Sequence, residues 1–495
     1  MYKSYGELGK VIKFISKIIK SDYKDFNGSK EELILIIKTI YETTLNEHPK
    51  TSYELVVDIV NRFFNCNYKY KPLSFDNGYN GFRNWDQQYQ CDEVRTKKIK
   101  VPEKFAKTEE QFQKLFATPQ PEQRTEEWFK YRFNRITASD TASAVDMNPY
   151  ESVEGFICKK CDPDFPFLDN VFVFHGKKYE QIATQLYEHI YNNKVTEFGC
   201  VPSEKYKILG ASPDGICSKS TLTNEFSDML GTMLEIKCPY VREIKTKGRT
   251  MGDICPYYYY CQVQQQLECC DLDKCDFWQC KITEYDSREE YLQDVNFKTI
   301  FSEGNDGKIV NIDNNLARGC LLQFLPKVFE PTHDEDQHEF KSKYIYPPRL
   351  DMSLSEYDDW CINVITNWQI KDPEMAKDYY FDKIIYWKIP LSHNVTIKRD
   401  KKWFNETYPV LLDTWKKVCY YRDHLDELPK VQEIADKRKK FYRMNTELTM
   451  NNYDSDLAFM NFKDKTKPKN KVKPPKKKFK KANNIDDNNC NFIDD

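Results

Sequence analysis

The sequence has almost no net charge: 75 lysines and arginines stand against 77 aspartates and glutamates. Bulk charge therefore does not mark a binder of polyanions, and any such surface must arise from local segregation. No apolar run is long enough to span a bilayer. No N-terminal stretch joins a basic start to an apolar segment and a cleavage site. No internal repeat is present, which sets repeat architectures aside. The 17 cysteines are odd in number and scattered rather than gathered into a short framework, so reduced thiols are the expectation. Together these absences predict a soluble intracellular protein without membrane attachment, cytoplasmic or nuclear.

What is present supports a large fold. The 495 residues allow one big domain with extensions, or two to three domains. The 33 Tyr, 31 Phe and 8 Trp supply core material despite a mean hydropathy of -0.76. Residues 1–66 read as a helical N-terminal domain: Leu8, Val11, Ile12, Ile15, Ile18 and Ile19 keep helical spacing, and Ser29/Glu32 and Thr51/Glu54 are in capping-box register. Residues 67–120 show no clear period and read as a connecting region. Residues 121–330 alternate strand and helix patterns, predicting an α/β core. Residues 331–462 read as a C-terminal accessory region, α-rich, that is a candidate to complete that core. Within it, "KIIYWKIPL" predicts a strand and "KWFNETYPVLLDTWKKVCYYRDHL" an amphipathic helix. Residues 463–495 form a Lys-rich tail, with ten lysines between 465 and 481, expected to be disordered.

The chemistry gathers in two short stretches. "ILGASPDGIC" ends an apolar run at Asp214, between a proline and a glycine; "LEIKCPYVRE" alternates Glu235 and Lys237 with Leu234, Ile236 and Cys238. A strand's two-residue period puts Glu235 and Lys237 on one face and Leu234 and Ile236 on the other. Pairing of the two strands would bring Asp214 to the same patch. Converging carboxylates raise one another's pKa unless a cation lies between them, and hard oxygen donors suit Mg²⁺ or Mn²⁺. Such a patch is equipped for metal-assisted hydrolysis of a phosphodiester. Glu180, at the margin of the helical stripe Tyr179, Ile182, Ala183, Leu186 and Ile190, is a third acid placed where burial costs unless a cation is bound. Arg132 and Arg135 lie about one turn apart, and Thr137 or Ser139 is a candidate N-cap of a following helix that would attract anions. Gln262 and Gln265 share a helical face and offer uncharged donors.

The ordered set Trp128, Arg132, Ile136–Ser139; Gly176, Glu180, Ala183; Ser212–Gly215; Leu234–Pro239; and Tyr258, Gln262–Gln264 resembles the lambda-exonuclease/YqaJ viral recombinase family. That family belongs to the PD-(D/E)XK, restriction-endonuclease-like nucleases. The resemblance covers roughly residues 121–300 and implies a mixed central sheet flanked by helices. It implies that Glu180, Asp214, Glu235 and the Ile236 backbone carbonyl hold two Mg²⁺ ions, for which Mn²⁺ can substitute. It further implies that Lys237 activates or orients the attacking water with Gln262 in support, and that Arg132 and Ser139 grip DNA phosphates near the 5′ end. The activity implied is digestion of linear duplex DNA from the 5′ end, leaving 3′ single strands for a partner annealing protein in recombination, repair or end-processing. The chain departs from the family in a longer segment between Asp214 and Glu235. Its long extensions also leave open whether it forms the family's homo-oligomeric ring. Codon-related composition and family habit point to a large DNA virus, with a viral replication site in the host cell as one location.

Other readings stay open at this point. The same chemistry would serve an endonuclease or an RNA-directed nuclease, and a non-catalytic DNA-binding recombination scaffold is an alternative of another class. Cys158, Cys161, Cys269, Cys270, Cys275 and Cys280 are candidates for a zinc or iron–sulfur site, with packed thiols as the other reading. "PPKKKFKK" in the tail resembles a nuclear-import signal, and the tail is also a candidate for salt-sensitive DNA affinity.

Overall fold

Short strands with apolar alternation, joined by helices that each carry one apolar stripe, can only bury both by layering helices on a sheet. The computed structural model of the chain describes residues 99–121, 125–163, 171–312, 314–328 and 339–450. The helical unit expected over 1–66, most of the connecting region and the Lys-rich tail lie outside the described residues.

In chain order, α1 (Ala106–Ala117) and α2 (Glu126–Phe133) precede β1 (Ile136–Thr137), α3 (Thr141–Ala144), α4 (Val153–Cys161) and α5 (Val171–Tyr191). Then follow β2 (Val195–Thr196), β3 (Val201–Pro202), β4 (Leu209–Ala211), β5 (Gly215–Cys217), β6 (Met233–Lys237), α6 (Tyr257–Cys270) and β7 (Lys274–Glu284). The remainder comprises α7 (Arg288–Gln293), β8 (Ile300–Glu303), β9 (Lys308–Val310), β10 (Arg318–Pro326), β11 (Lys343–Ile345), α8 (Leu354–Lys371), α9 (Pro373–Asp378), β12 (Tyr379–Lys398), α10 (Lys401–Asp423) and α11 (Leu428–Met450).

The main sheet runs β11-β10-β12-β7-β6-β5-β2, with the β8–β9 hairpin attached to β12. Along that path only β6 and β7 are parallel, because α6 crosses over between them. The sheet is mixed and flanked by helices, as the sequence predicts. Strand β12 is long enough to use one edge twice: Tyr379–Lys388 pairs with β10, and Leu391–Asn394 pairs with β8. On its other edge it pairs with β7. The region after 331 therefore supplies a central strand of the sheet. A second sheet, β1-β4-β3, lies apart from the first.

Alternation sorts the two faces. Leu234 and Ile236 of β6 join Trp278 and Cys280 of β7 under the stripe Tyr179, Ile182, Ala183 and Leu186 of α5. Met233, Cys275 and Phe277 point the opposite way, against Val263 and Leu267 of α6. That second core also takes in Phe112 and Leu115 of α1. Residues 106–117 are thus a helix of the folded body rather than part of a connector, which corrects the sequence reading there. A few apolar positions among many polar ones suffice, because Phe112 also meets Phe198 edge-on at 5.8 Å.

The six cysteines considered for a metal cluster are divided among three cores. Cys158, Cys161 and Cys269 lie in one, Cys270 and Cys275 in another, and Cys280 in a third. All six are buried free thiols, and they behave as small apolar side chains.

Gly215, which opens β5, is required by the packing of the neighbouring strand: a Cβ there would lie 2.2 Å from Val195 Cγ1 on β2. Gly215→Ala is expected to destabilise the fold by about 1–3 kcal/mol, read by denaturant unfolding. Adding Val195→Ala should recover part of that loss; no recovery would show that the contact is not the cause.

Candidate active site

Strands β5 and β6 are antiparallel with Gly215 opposite Leu234, so Asp214 stands across from Glu235. The Asp214 carboxylate accepts the Ile236 amide at 2.7 Å, which fixes it at the end of the strand pair. Glu235 has no exposed surface. Its Oε1 accepts from Lys237 Nζ and from Gln262 Nε2 at 2.7 Å, and its Oε2 accepts from Gln266 Nε2, also at 2.7 Å. Both glutamines come from α6, one turn apart and so on one helical face. Lys237 also lies over the Tyr259 ring at 4.5 Å.

Glu180 is half-buried on α5, and its charge reaches both Asp214 and the Cys238 thiol. Burial, then Glu235, then Glu180 push the Asp214 carboxyl well above the usual carboxylate range. Burial disfavours the Lys237 ammonium, yet Glu235, Tyr259 and Asp214 together hold it above its ordinary value. Glu180, Asp214, Glu235 and Lys237 therefore share one electrostatic patch.

Does this patch fit a divalent cation? Among the described residues, no three His, Cys, Asp or Glu side chains converge closely enough to hold an ion by themselves. Both oxygens of Glu235 are already engaged by protein donors. Asp214 and Glu235 nevertheless face each other across neighbouring strands, where like charges repel unless a cation lies between them, and their hard oxygens match Mg²⁺ or Mn²⁺. Mg²⁺ commonly uses one or two carboxylates and completes its shell with water and substrate phosphate. The donor set fits an open site of that kind rather than a closed cage.

Of the two glutamines singled out in the sequence, only Gln262 touches Glu235. Gln265 turns to the second sheet, donating to the Ile136 and Gly210 carbonyls at 2.9 and 3.1 Å and accepting from Thr141 at 2.7 Å. Gln266 is the residue that sequence reasoning missed, and the i, i+4 stride from Gln262 is the signal that would have found it.

Arg132 and Ser139 do meet: the guanidinium donates to Ser139 Oγ at 3.0 Å and lies 4.2 Å from the Trp128 ring. Trp128 Nε1 in turn donates to Ser212 Oγ at 3.4 Å, two residues before Asp214. Arg135 stacks on Tyr131 at 3.7 Å. Thr137 stands at the N-cap position of the 3₁₀ turn Ala138–Asp140 as expected, but its side chain makes no capping bond, and Ser139 caps neither that turn nor α3. Thr137 instead donates to Asp140 at 2.8 Å. Asp140 is buried against Lys159 and Lys160, both at 2.9 Å, and these cations, with Arg132, outweigh desolvation and hold its carboxyl well below the usual range. Arg242 donates to Gln279 at 2.8 Å and lies 5.9 Å from the Tyr259 ring.

Residues 127–273 match the YqaJ-like viral recombinase domain. The chain is 39% identical over 325 residues to an uncharacterized protein of Acanthamoeba polyphaga mimivirus, covering 65% of this chain and 57% of that protein. It is 28% identical over 167 residues to a protein of African swine fever virus, covering 30% of this chain and 46% of that one. The chain thus spans about half the length of these curated relatives. Among solved structures, an alkaline exonuclease from Laribacter hongkongensis aligns with a TM-score of 0.32 and 16% identity, over 63% of this chain and 100% of that one. No described helix is long and apolar enough to cross a membrane. Residues 127–273 are thus similar to the YqaJ-like viral recombinase domain, the family that the ordered sequence motifs resemble.

Proposed function

We propose that the protein is a divalent-metal-dependent exonuclease that hydrolyses phosphodiesters of linear duplex DNA from the 5′ end. Its product would be a 3′ single-stranded tail for recombination, repair or end-processing, with a single-strand annealing protein as the partner that consumes it. The observation that carries this reading is the facing pair Asp214 and Glu235 on neighbouring strands, with Lys237 on the same face and Glu180 acting on Asp214. A pure binding surface for an anionic polymer gains nothing from inward-facing acids.

Each side chain has a definable part. Asp214, Glu235, the Ile236 carbonyl and Glu180 are the groups that would hold Mg²⁺ or Mn²⁺. A bound ion supplies Lewis acidity and charge neutralisation at the phosphate during in-line displacement. Gln262 and Gln266 hold the Glu235 carboxylate in one orientation through opposite oxygens. Lys237, kept protonated by its acidic neighbours, orients the attacking water and offsets the charge that develops on the phosphate. Arg132, stacked on Trp128 and bonded to Ser139, would grip the phosphate at the 5′ end.

The direct test supplies linear and covalently closed circular duplexes, the linear one labelled at either 5′ or 3′ ends, in Mg²⁺. Acid-soluble label should be released early from the 5′ end, and the circle should persist. Cutting of the circle would replace the exonuclease with an endonuclease, and absence of release from any substrate would favour a scaffold. Lys237→Ala is expected to lower release by about 10²–10³-fold while duplex binding stays within a few-fold.

Gln266→Ala separates positioning from folding. Removing the donor to Glu235 Oε2 is expected to slow hydrolysis about 10–100-fold, with Gln266→Glu no better. Full activity in Gln266→Ala would show that Gln262 and Lys237 alone fix Glu235.

A further inference from the structure

The charge balance of the whole chain conceals a sharp local imbalance. Between Tyr240 and Arg249 lie Arg242, Lys245, Lys247 and Arg249 against the single acid Glu243. This segment leaves the C-terminal end of β6 immediately after Lys237 and returns at the start of α6. Lys245 and Lys247 are exposed, and the Arg249 side chain is 82% exposed.

The segment is held along the sheet rather than left to wander. Across the strands, Lys237 is level with Gln279, Gln279 with His393, His393 with Ser302, and Ser302 with Ile309. Four strand spacings put the β8–β9 hairpin about 19 Å from the Lys237 end. The loop crosses that distance and docks there: the Gly248 amide donates to the Asn305 carbonyl in the hairpin turn at 3.1 Å.

Two glycines make the docking possible. Gly248 has φ +120, open only to glycine at low cost, and a Cβ on Gly307 would lie 2.7 Å from Lys247 Cγ and 2.9 Å from Lys247 Cε. The Lys247 stem therefore lies along Gly307 while the residue as a whole stays exposed. Arg249 stays exposed and pairs with Asp253 at 3.1 Å, four residues on, which braces the return of the loop. Among the described residues, Lys245 and Lys247 form no ion pair. Buried His393 supports the hairpin from beneath, with Nε2 3.0 Å from the Gly304 carbonyl.

We propose that this loop, through Lys245 and Lys247, is a docking rail for the phosphate backbone of the still-paired duplex, about six base pairs from the bond being cut. The spacing follows from the 3.4 Å rise of each strand over about 19 Å. The rail rests on the nuclease reading for its direction relative to the cut, and on the loop geometry for its existence. It explains how a chain with no net positive charge holds a polyanion: the cations are concentrated beside the acidic cleft and braced by a hairpin.

The test measures binding of hairpin DNAs with stems of about 4 and about 20 base pairs, in Ca²⁺ and across a range of salt. In Lys245→Ala/Lys247→Ala, the dependence of log affinity on log salt should become shallower by about 1.8 for the long stem. Affinity lost between 50 and 200 mM salt would then be about twelvefold smaller than for the wild type. The short stem should bind as to the wild type, and Lys245→Arg/Lys247→Arg should restore the full slope. An unchanged slope on the long stem, or equal losses on both stems, overturns the rail. If the slope changes while the wild type releases no nucleotide in Mg²⁺, the nuclease reading falls and the rail stands. If nucleotide is released and the slope does not change, the reverse holds.

Discussion

A carboxylate with no access to water must be neutralised or fully hydrogen-bonded, since burying one ion costs several kcal/mol. Glu235 meets that demand with three donors, Lys237 on its own strand and Gln262 and Gln266 from α6. The surrounding architecture follows from satisfying this one group. Helix α6 must lie across the face of β6, which requires the crossover that makes β6 and β7 parallel. Asp214 is then anchored by the next amide along, that of Ile236. The site is built where the sheet, one helix and one buried charge constrain each other.

Much of this was legible in the sequence, for identifiable reasons. The alternation of Glu235 and Lys237 with Leu234 and Ile236 fixes two faces by strand geometry alone, and the structure sorts those residues accordingly. The long amphipathic stripe around Glu180 likewise survives as α5. Gln266 escaped because three consecutive glutamines each face a different neighbour. Gln264 bonds the chain near Lys398, Gln265 the second sheet, and Gln266 the acid. Composition cannot separate them; only the rotation of the helix does. The α1 segment escaped because Phe112 and Leu115 are few among charged residues, and their partners, such as Phe198, lie far along the chain.

The position of β12 was not legible either. Its apolar residues announce a strand, but not that the strand enters between β7 and β10, more than 50 residues from the nearer of them. Long-range pairing of this kind is decided by sheet edges and register, which leave little trace in a single segment. The same limit applies to the basic loop after β6: its cations are visible in the sequence, whereas its attachment to the β8–β9 hairpin depends on contacts between Gly248 and Asn305 and between Lys247 and Gly307.

Acids from three elements acting around a shared cation are the centre of the proposed chemistry. Crystals of the full chain equilibrated with Mn²⁺ and a nucleoside monophosphate give the most direct measurement. Anomalous density bounded by Asp214, Glu235 and the Ile236 carbonyl is the predicted result. Ordered nucleotide in the cleft with no anomalous signal near Asp214, and Glu235 still bonded to Lys237 and both glutamines, would contradict it.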